Sequence, residues 1–261
     1  MPLNTAYVSK TPDPNGIYTY SSDETAVWSE LYTRQMADLR DHACMAYLTG
    51  HKLLGLSPDT VPQVADLDRR LSTLTGAGVQ AVDALIPQDA FSNLLKARRF
   101  PVATFIRRRE DIDYIEEPDI FHEVFGHCPM LTDEKFCRFM EQFGALSLEV
   151  GPEHIERLFR LFWFTIEFGL IREAGKTKAF GAGIMSSPAE LANVVSGGAA
   201  VVPFDLLEVL RTPYRIDIVQ PVYFEIESFA ALASLGRDRI KTALVEAARP
   251  GDRPALFDKA A

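Results

Sequence analysis

The run Leu161-Phe-Trp-Phe-Thr-Ile-Glu167-Phe-Gly-Leu170 is apolar at nearly every position, and it constrains the fold more than any other stretch of the chain. A helix that is apolar all round has no face to offer water, so it must run through the middle of a core. Its one carboxylate, Glu167, is then no ordinary surface acid. A charged carboxyl isolated among apolar groups requires a paired cation such as an internal arginine, a raised pKa, or a metal ion.

A second stretch narrows those options. Asp119-Ile-Phe-His122-Glu-Val-Phe-Gly-His127-Cys-Pro129 holds two of the five histidines, with the carboxylate of Glu123 between them. A lone histidine on an apolar face is usually a hydrogen-bonded core residue, whereas a close pair beside a carboxylate points to a metal. On a straight α-helix, residues five apart are rotated by about 500°, which leaves the two rings about 140° off each other. The spacing therefore places His122 on the last turns of a helix that Gly126 and Pro129 stop, and His127 on the turn beyond. It also departs from the H-E-x-x-H pattern of the helical metalloproteases.

The 261 residues, 47% apolar and 24% charged, predict one large soluble domain rather than two small ones. A formal net charge of −9 disfavours nucleic acid and anionic membranes as partners and leaves small molecules. Cys44, Cys128 and Cys137 are too few and too unevenly spaced for a disulfide framework or a zinc knuckle. With no apolar leader at the N-terminus and no membrane-length apolar run, a cytoplasmic location is expected.

Taken in order, residues 1–22 read as an extended arm, and residues 23–261 as the catalytic body. Ser21-x-x-Glu24 is a capping box that opens a helix expected to last until Gly50. Another helix follows Pro62, with Val64, Leu67, Leu71 and Leu74 on one side and Gly76 ending it. Short strands are expected over 78–84 and 101–107, flanking a helix over 87–97, with Phe100-Pro101 as a boundary. Helices then open at 132–134 and at Pro152. Gly181-Ala-Gly183 reads as a tight turn or a close backbone approach, and Ser187-Pro188-Ala-Glu190 as a capping box. A strand over 216–225 and a closing helix over 229–247 complete an α+β domain of high helical content.

Two histidines and one carboxylate match the facial set of non-haem iron(II) oxygenases, which leaves coordination positions open. Catalytic zinc uses the same donors, so a zinc hydrolase is the enzymatic alternative. The dry, aromatic surroundings favour the oxygenase, because a hydrolase needs polar groups for an oxyanion. A non-catalytic module that binds an aromatic amino acid or a structural metal fits less well, since structural sites are closed by four protein ligands.

Pro118-Asp-Ile-Phe-His-Glu-Val-Phe-Gly-His127-Cys-Pro129, Phe164-Thr-Ile-Glu-Phe-Gly-Leu170 and Phe180-Gly-Ala-Gly-Ile-Met-Ser-Ser187 resemble the signature blocks of the pterin-dependent aromatic amino acid hydroxylases. The bacterial phenylalanine-4-hydroxylases are the nearest likeness. Val61-Pro-Gln63, Val102-Ala-Thr-Phe-Ile-Arg107 and Gln220-Pro-Val-Tyr223 extend the match over roughly residues 20 to 230. The resemblance implies a phenylalanine 4-monooxygenase of phenylalanine catabolism. It would convert L-phenylalanine, O2 and a tetrahydropterin to L-tyrosine and the 4a-hydroxypterin through an Fe(II) iron-oxo species. A tryptophan hydroxylase of the same family is the alternative. The regulatory and tetramer-forming segments of animal members have no counterpart in the sequence, so a monomer is expected.

By the same resemblance His122, His127 and Glu167 fall on the iron ligands. Arg107 falls on the arginine that holds the substrate carboxylate, at the end of a strand. Phe91, Ile86 and Gln88 fall on the pterin wall, and Glu123 on an acid reaching the pterin side. Pro118, Trp163, Phe168 and Ser186 fall on the amino acid pocket. For the apolar ones, plain core packing is the competing explanation. The sequence departs from animal members at Ala84, commonly glycine there, and at Phe162, commonly tyrosine. Ile216 stands where tyrosine hydroxylases have aspartate.

Overall fold

The computed structural model describes residues 7–83 and 85–257. Residues 7–21 contain neither helix nor strand, and they are tied to the body at several points, among them Tyr20 Oη donating to Thr104 O at 2.8 Å. Ser21 then caps α1 (Ser22–His42) reciprocally with Glu24. The helix expected to reach Gly50 breaks at Ala43, because the Cys44 N–H leaves the helix to donate to Ala179 O at 2.8 Å. Cys44 Sγ caps α2 (Met45–Leu54), which passes straight through Gly50 and ends at Gly55 in the left-handed region. Gly50 is a close approach and not a stop: a Cβ there would lie 2.0 Å from Pro129 O. In α3 (Val64–Thr75), ended by Gly76, Val64, Leu67 and Leu71 are buried, but Leu74 in the last turn is 42% exposed.

β1 (Gly78–Val82) and β2 (Arg99–Ala103) pair in parallel across α4 (Gln88–Lys96). The strand expected over 101–107 starts two residues earlier and ends at Ala103. Pro101 is no boundary; it lies inside β2 opposite Gln80, where the missing N–H is tolerated because β2 has no second neighbouring strand among the described residues. Ala84, the first departure from animal members, lies outside the described residues.

A π-helix, Phe121–His127, runs through Gly126 into a 3-10 turn and then α5 (Glu134–Ser147), capped by Asp133. α6 (Pro152–Phe162) continues into a second π-helix, Trp163–Glu167. The apolar run is thus not helical to its end; Leu170 already begins β3 (Leu170–Glu173), antiparallel to β4 (Lys176–Ala179). Gly181 does bring two backbones together, since a Cβ on it would lie 2.4 Å from Glu167 O, but it also opens a helix that was not expected, α7 (Ala182–Ser186). Ser187 caps α8 (Pro188–Ser196), while the Glu190 carboxylate turns away from the cap to accept from Gln220 N at 3.1 Å and from Tyr223 Oη.

β5 (Ala200–Pro203) and α9 (Leu206–Arg211) precede β6 (Val222–Ile226), which is shorter than the strand expected over 216–225. The Gln220 amide takes Arg215 O and Ile218 O as its acceptors, so that segment folds on itself instead of pairing. The closing helix is two, α10 (Phe229–Ala233) and α11 (Arg237–Ala248), broken at Gly236 with φ 67°. Strand order in the larger sheet is β4-β3-β6-β5. Helices surround it and bury Phe121, Phe125, Phe136, Phe139, Phe143, Phe164 and Phe180 completely, an α+β domain that is mostly helix. No described helix is long and apolar enough to cross a membrane.

Candidate metal centre

In a π-helix the hydrogen bonds run from i to i+5, so a residue five positions on stands over the first. That geometry brings the two imidazoles together: His122 Nε2 and His127 Nε2 are 3.2 Å apart, with ring planes crossed at 84°. The expectation of a helix stopped before His127 is therefore corrected. Gly126 does not end the helix; its bare Cα lets α7 come close, and a Cβ there would sit 3.0 Å from both Cβ and O of Ala182.

Glu167, the last residue of the second π-helix, closes the group. Its Oε1 is 3.1 Å from His127 Nε2 and its Oε2 is 3.5 Å from His122 Nε2. Donors bonded at about 2.1 Å to one ion are separated by about 3.0 Å at a right angle and about 3.4 Å at a tetrahedral one. Each of the three pairwise separations lies close to that range, with the two Glu167 oxygens each nearest a different imidazole, so the distances suit a metal without choosing which.

The protonation pattern agrees with a cation between them. Burial pushes His122 down to about 4 against the opposing pull of Glu167, so the ring is neutral. Ser186 Oγ lies 2.8 Å from His122 Nδ1 and gives its own proton to Ala182 O at 2.8 Å. It can only accept from the imidazole, which fixes the proton on Nδ1 and leaves the Nε2 lone pair facing His127 and Glu167. His127 is 2% exposed and its Nδ1 has no hydrogen-bond partner among the described residues; its ring lies on Phe100, centroids 4.1 Å apart at 30°. Burial raises the Glu167 carboxyl, but the two imidazoles, His127 foremost, outweigh it and hold the group below its ordinary range. The free His122 Nε2, the His127 Nε2 and the Glu167 carboxylate thus face one another.

Glu123 is the other carboxylate within reach, its Oε2 4.0 Å from His127 Nε2. Ligand atoms of His122, Glu123 and His127 fall within 4.8 Å of one another. Burial and the Glu167 charge hold Glu123 well above the ordinary range, which disfavours its ionised form. Glu167 is both nearer and ionised, and is the better ligand.

Arg107 does not end a strand; it lies in irregular chain past β2, 6% exposed. Its Nε and Nη2 donate to the two oxygens of Asp119 at 2.8 and 2.9 Å, a bidentate pair that holds the buried Asp119 carboxyl below its ordinary range despite burial. Asp119 Oδ1 also accepts from His122 N at 3.0 Å. One carboxylate thus joins the arginine to the backbone of the first histidine. The sequence signal for Asp119 is a carboxylate three positions ahead of His122 in an apolar stretch.

The remaining expected residues are unevenly placed. Trp163 packs on Phe168 with centroids 4.6 Å apart, and a Cβ on Gly183 would lie 2.5 Å from Phe168 Cζ, which ties that ring to α7. Phe91 meets Phe100 edge-on at 6.5 Å, so it reaches the His127 ring through one intervening aromatic. Phe162 packs on Phe91 at 5.5 Å. Pro118 is half-buried just ahead of Asp119, Ile86 is half-buried, and Gln88 is exposed as the first residue of α4. Ile216 is 62% exposed, so it does not wall a buried pocket as its alignment with the aspartate of tyrosine hydroxylases suggested.

Two imidazoles and one carboxylate, set among buried aromatic side chains, define a class: mononuclear non-haem metal centres with open positions. Within that class, this chain belongs to the biopterin-dependent aromatic amino acid hydroxylases, whose family model matches residues 3–242. It is 45% identical over 256 residues to a phenylalanine-4-hydroxylase of Vibrio cholerae, covering 97% of this chain and 88% of that one. Its fold is similar to the apo structure of the cold-active phenylalanine hydroxylase of Colwellia psychrerythraea 34H, with TM-score 0.92, 42% identity and coverage of 96% and 98%. It is also similar to a Chromobacterium violaceum phenylalanine hydroxylase structure with bound iron(III) and 7,8-dihydrobiopterin, with TM-score 0.86, 36% identity and coverage of 96% and 90%. The enzyme is a pterin-dependent iron monooxygenase.

Proposed function

We propose that this chain is a phenylalanine 4-monooxygenase, converting L-phenylalanine, O2 and a tetrahydropterin to L-tyrosine and a 4a-hydroxytetrahydropterin. The observation that carries the reading is the convergence of His122 Nε2, His127 Nε2 and the Glu167 carboxylate, whose Oε1 lies 3.1 Å from His127 and whose Oε2 lies 3.5 Å from His122, in a family whose relatives are named for this activity. When bound there, Fe(II) acts with the pterin to supply the electrons that O2 needs. The chain's own work is to bind, orient and keep the site dry.

In this reading His122, His127 and Glu167 hold the iron. Ser186 keeps His122 in the ligating tautomer, and Phe100 sets the plane of His127. Arg107, whose charge is balanced by Asp119, offers its remaining guanidinium N–H groups to the substrate carboxylate. Trp163 and Phe168, with Pro118, would hold the substrate ring. Phe91 would stack on the pterin, with Ile86 and Gln88 beside it, and Glu123, in its protonated form, would donate a hydrogen bond toward the pterin side. The partners are small molecules, and we further propose that the enzyme works as a monomer in the cytoplasm.

The test is reconstitution. Protein stripped by a chelator is given Fe(II) or Zn(II) together with a tetrahydropterin and L-phenylalanine in air. Tyrosine with Fe(II) alone is the expected result; tyrosine with Zn(II) would overturn the reading, because zinc has no redox cycle.

A further inference from the structure

Trp163 opens the π-helix that ends at Glu167, and its indole lies flat on Tyr214, centroids 4.3 Å apart at 16°. Stacking on Tyr214 and Phe168 leaves the ring free to choose which edge it turns to the site, because a face contact does not distinguish one edge from the other. That choice is made by a hydrogen bond: Nε1 donates to Gln220 Oε1 at 2.9 Å.

Gln220 has no freedom of its own. It is 2% exposed, and its Nε2 donates to Arg215 O at 3.0 Å and Ile218 O at 2.8 Å. Both amide protons are spent on carbonyls, so a flipped amide would set its oxygen against two acceptors, and Oε1 must face the indole. The backbone on either side is pinned from α8: Gln220 N donates to Glu190 Oε1 at 3.1 Å, and Gln220 O accepts from Asn193 Nδ2 at 2.9 Å. Glu190 and Asn193 are themselves joined through the hydroxyl of Tyr223 on β6. A buried network in which every member has its partners is rigid, and here it ends on one side chain of the proposed substrate wall.

We propose that Gln220, braced by Glu190 and Asn193, is a specificity-determining positioning residue: by fixing the Trp163 indole it sets the width of the aromatic amino acid pocket and so the preference for a benzene over an indole substrate. This rests on the reading of Trp163 as a wall of that pocket. Gln220 does not touch the substrate; it acts through Trp163.

The experiment compares wild type, Gln220→Leu, Trp163→Phe and the double variant, all loaded with Fe(II), for kcat/KM on L-phenylalanine and L-tryptophan. Gln220→Leu is expected to narrow the phenylalanine-to-tryptophan ratio by about tenfold, mainly through KM for phenylalanine. In the Trp163→Phe background the same change should add nothing, since the side chain through which Gln220 acts is already gone. With Trp28→Phe as host, so that Trp163 is the one indole left, loss of the acceptor should also shift Trp163 emission. Gln220→Met, close in volume and also lacking the carbonyl acceptor, carries the same test if the leucine variant fails to fold. An unchanged ratio in either folded variant, or an effect that adds fully to that of Trp163→Phe, overturns the proposal. A wild type that hydroxylates neither amino acid overturns the underlying reading, and this proposal with it.

Discussion

His122 and His127 present their Nε2 atoms to each other at 3.2 Å, although five residues separate them in the chain. No α-helix allows this, and the segment meets the requirement by widening to a π-helix. The same device recurs at Trp163–Glu167, so both elements that carry the proposed ligands are π-helices. If Glu167 balances the charge of the ion, Glu167→Ala should lose most of the bound iron, well beyond the roughly 10 to 100-fold loss of affinity expected from Glu123→Ala. Iron content after gel filtration decides the ranking, and equal content in the two variants would make Glu167 a structural acid.

Much of this was legible in the sequence because it is local. The cap at Ser21, the stop at Gly76 and the apolar run that buries Glu167 each follow from a few neighbouring residues. The π-helices were not legible: the five-residue spacing excludes an α-helix, but the sequence offers a broken helix as readily as a widened one. Tertiary packing made the choice, with α7 seated against Gly126. The same limit explains Gly50, which reads as a stop and is a contact with Pro129 O, and residues 216–221, whose backbone is held by the Gln220 side chain instead of a partner strand. Asp119 was missed because its two partners, Arg107 and the N–H of His122, meet only in the folded chain.

Ser186 fixes the proton of His122 on Nδ1. Ser186→Ala removes that acceptor, and iron affinity should fall by roughly 10 to 100-fold while the fold survives. Equilibrium dialysis against Fe(II) measures it; wild-type affinity in the variant would show that the tautomer is set elsewhere.

Phe100 supports the plane of His127, whose Nδ1 has no hydrogen-bond partner among the described residues. Phe100→Leu removes part of a buried ring but leaves an apolar side chain, so the fold should survive at a cost of about 1 to 3 kcal/mol. Iron should nevertheless dissociate faster, measured as colour development with an excess of a ferrous chelator. An unchanged dissociation rate would mean that stacking does not orient the ring.

His51 is 7% exposed among the rings of Tyr32, Tyr47 and Phe125, and its Nε2 has no hydrogen-bond partner among the described residues. Burial pulls its pKa from 6.5 down to about 4, so the folded state resists its protonation. A depressed folded value gives stability that is present above about pH 6.5 and lost as the pH falls toward 4, on the order of 1 to 3 kcal/mol. Melting temperature against pH should therefore fall less steeply over that window in His51→Leu than in wild type. Parallel curves would remove His51 from the acid sensitivity of the fold.

Preference among the aromatic amino acids tests the proposed function most directly. Hydrophobic pockets discriminate on size by only about 1 to 3 kcal/mol, so tryptophan should be hydroxylated slowly and not refused. A buried substrate hydroxyl without a partner would cost tyrosine about as much. The measurement is kcat/KM for L-phenylalanine, L-tryptophan and L-tyrosine with Fe(II), tetrahydropterin and air, following product and pterin oxidation together. The expected result is phenylalanine foremost, with tyrosine formed in step with pterin consumed; tryptophan or tyrosine oxidised as efficiently as phenylalanine, or pterin oxidised without tyrosine, would contradict it.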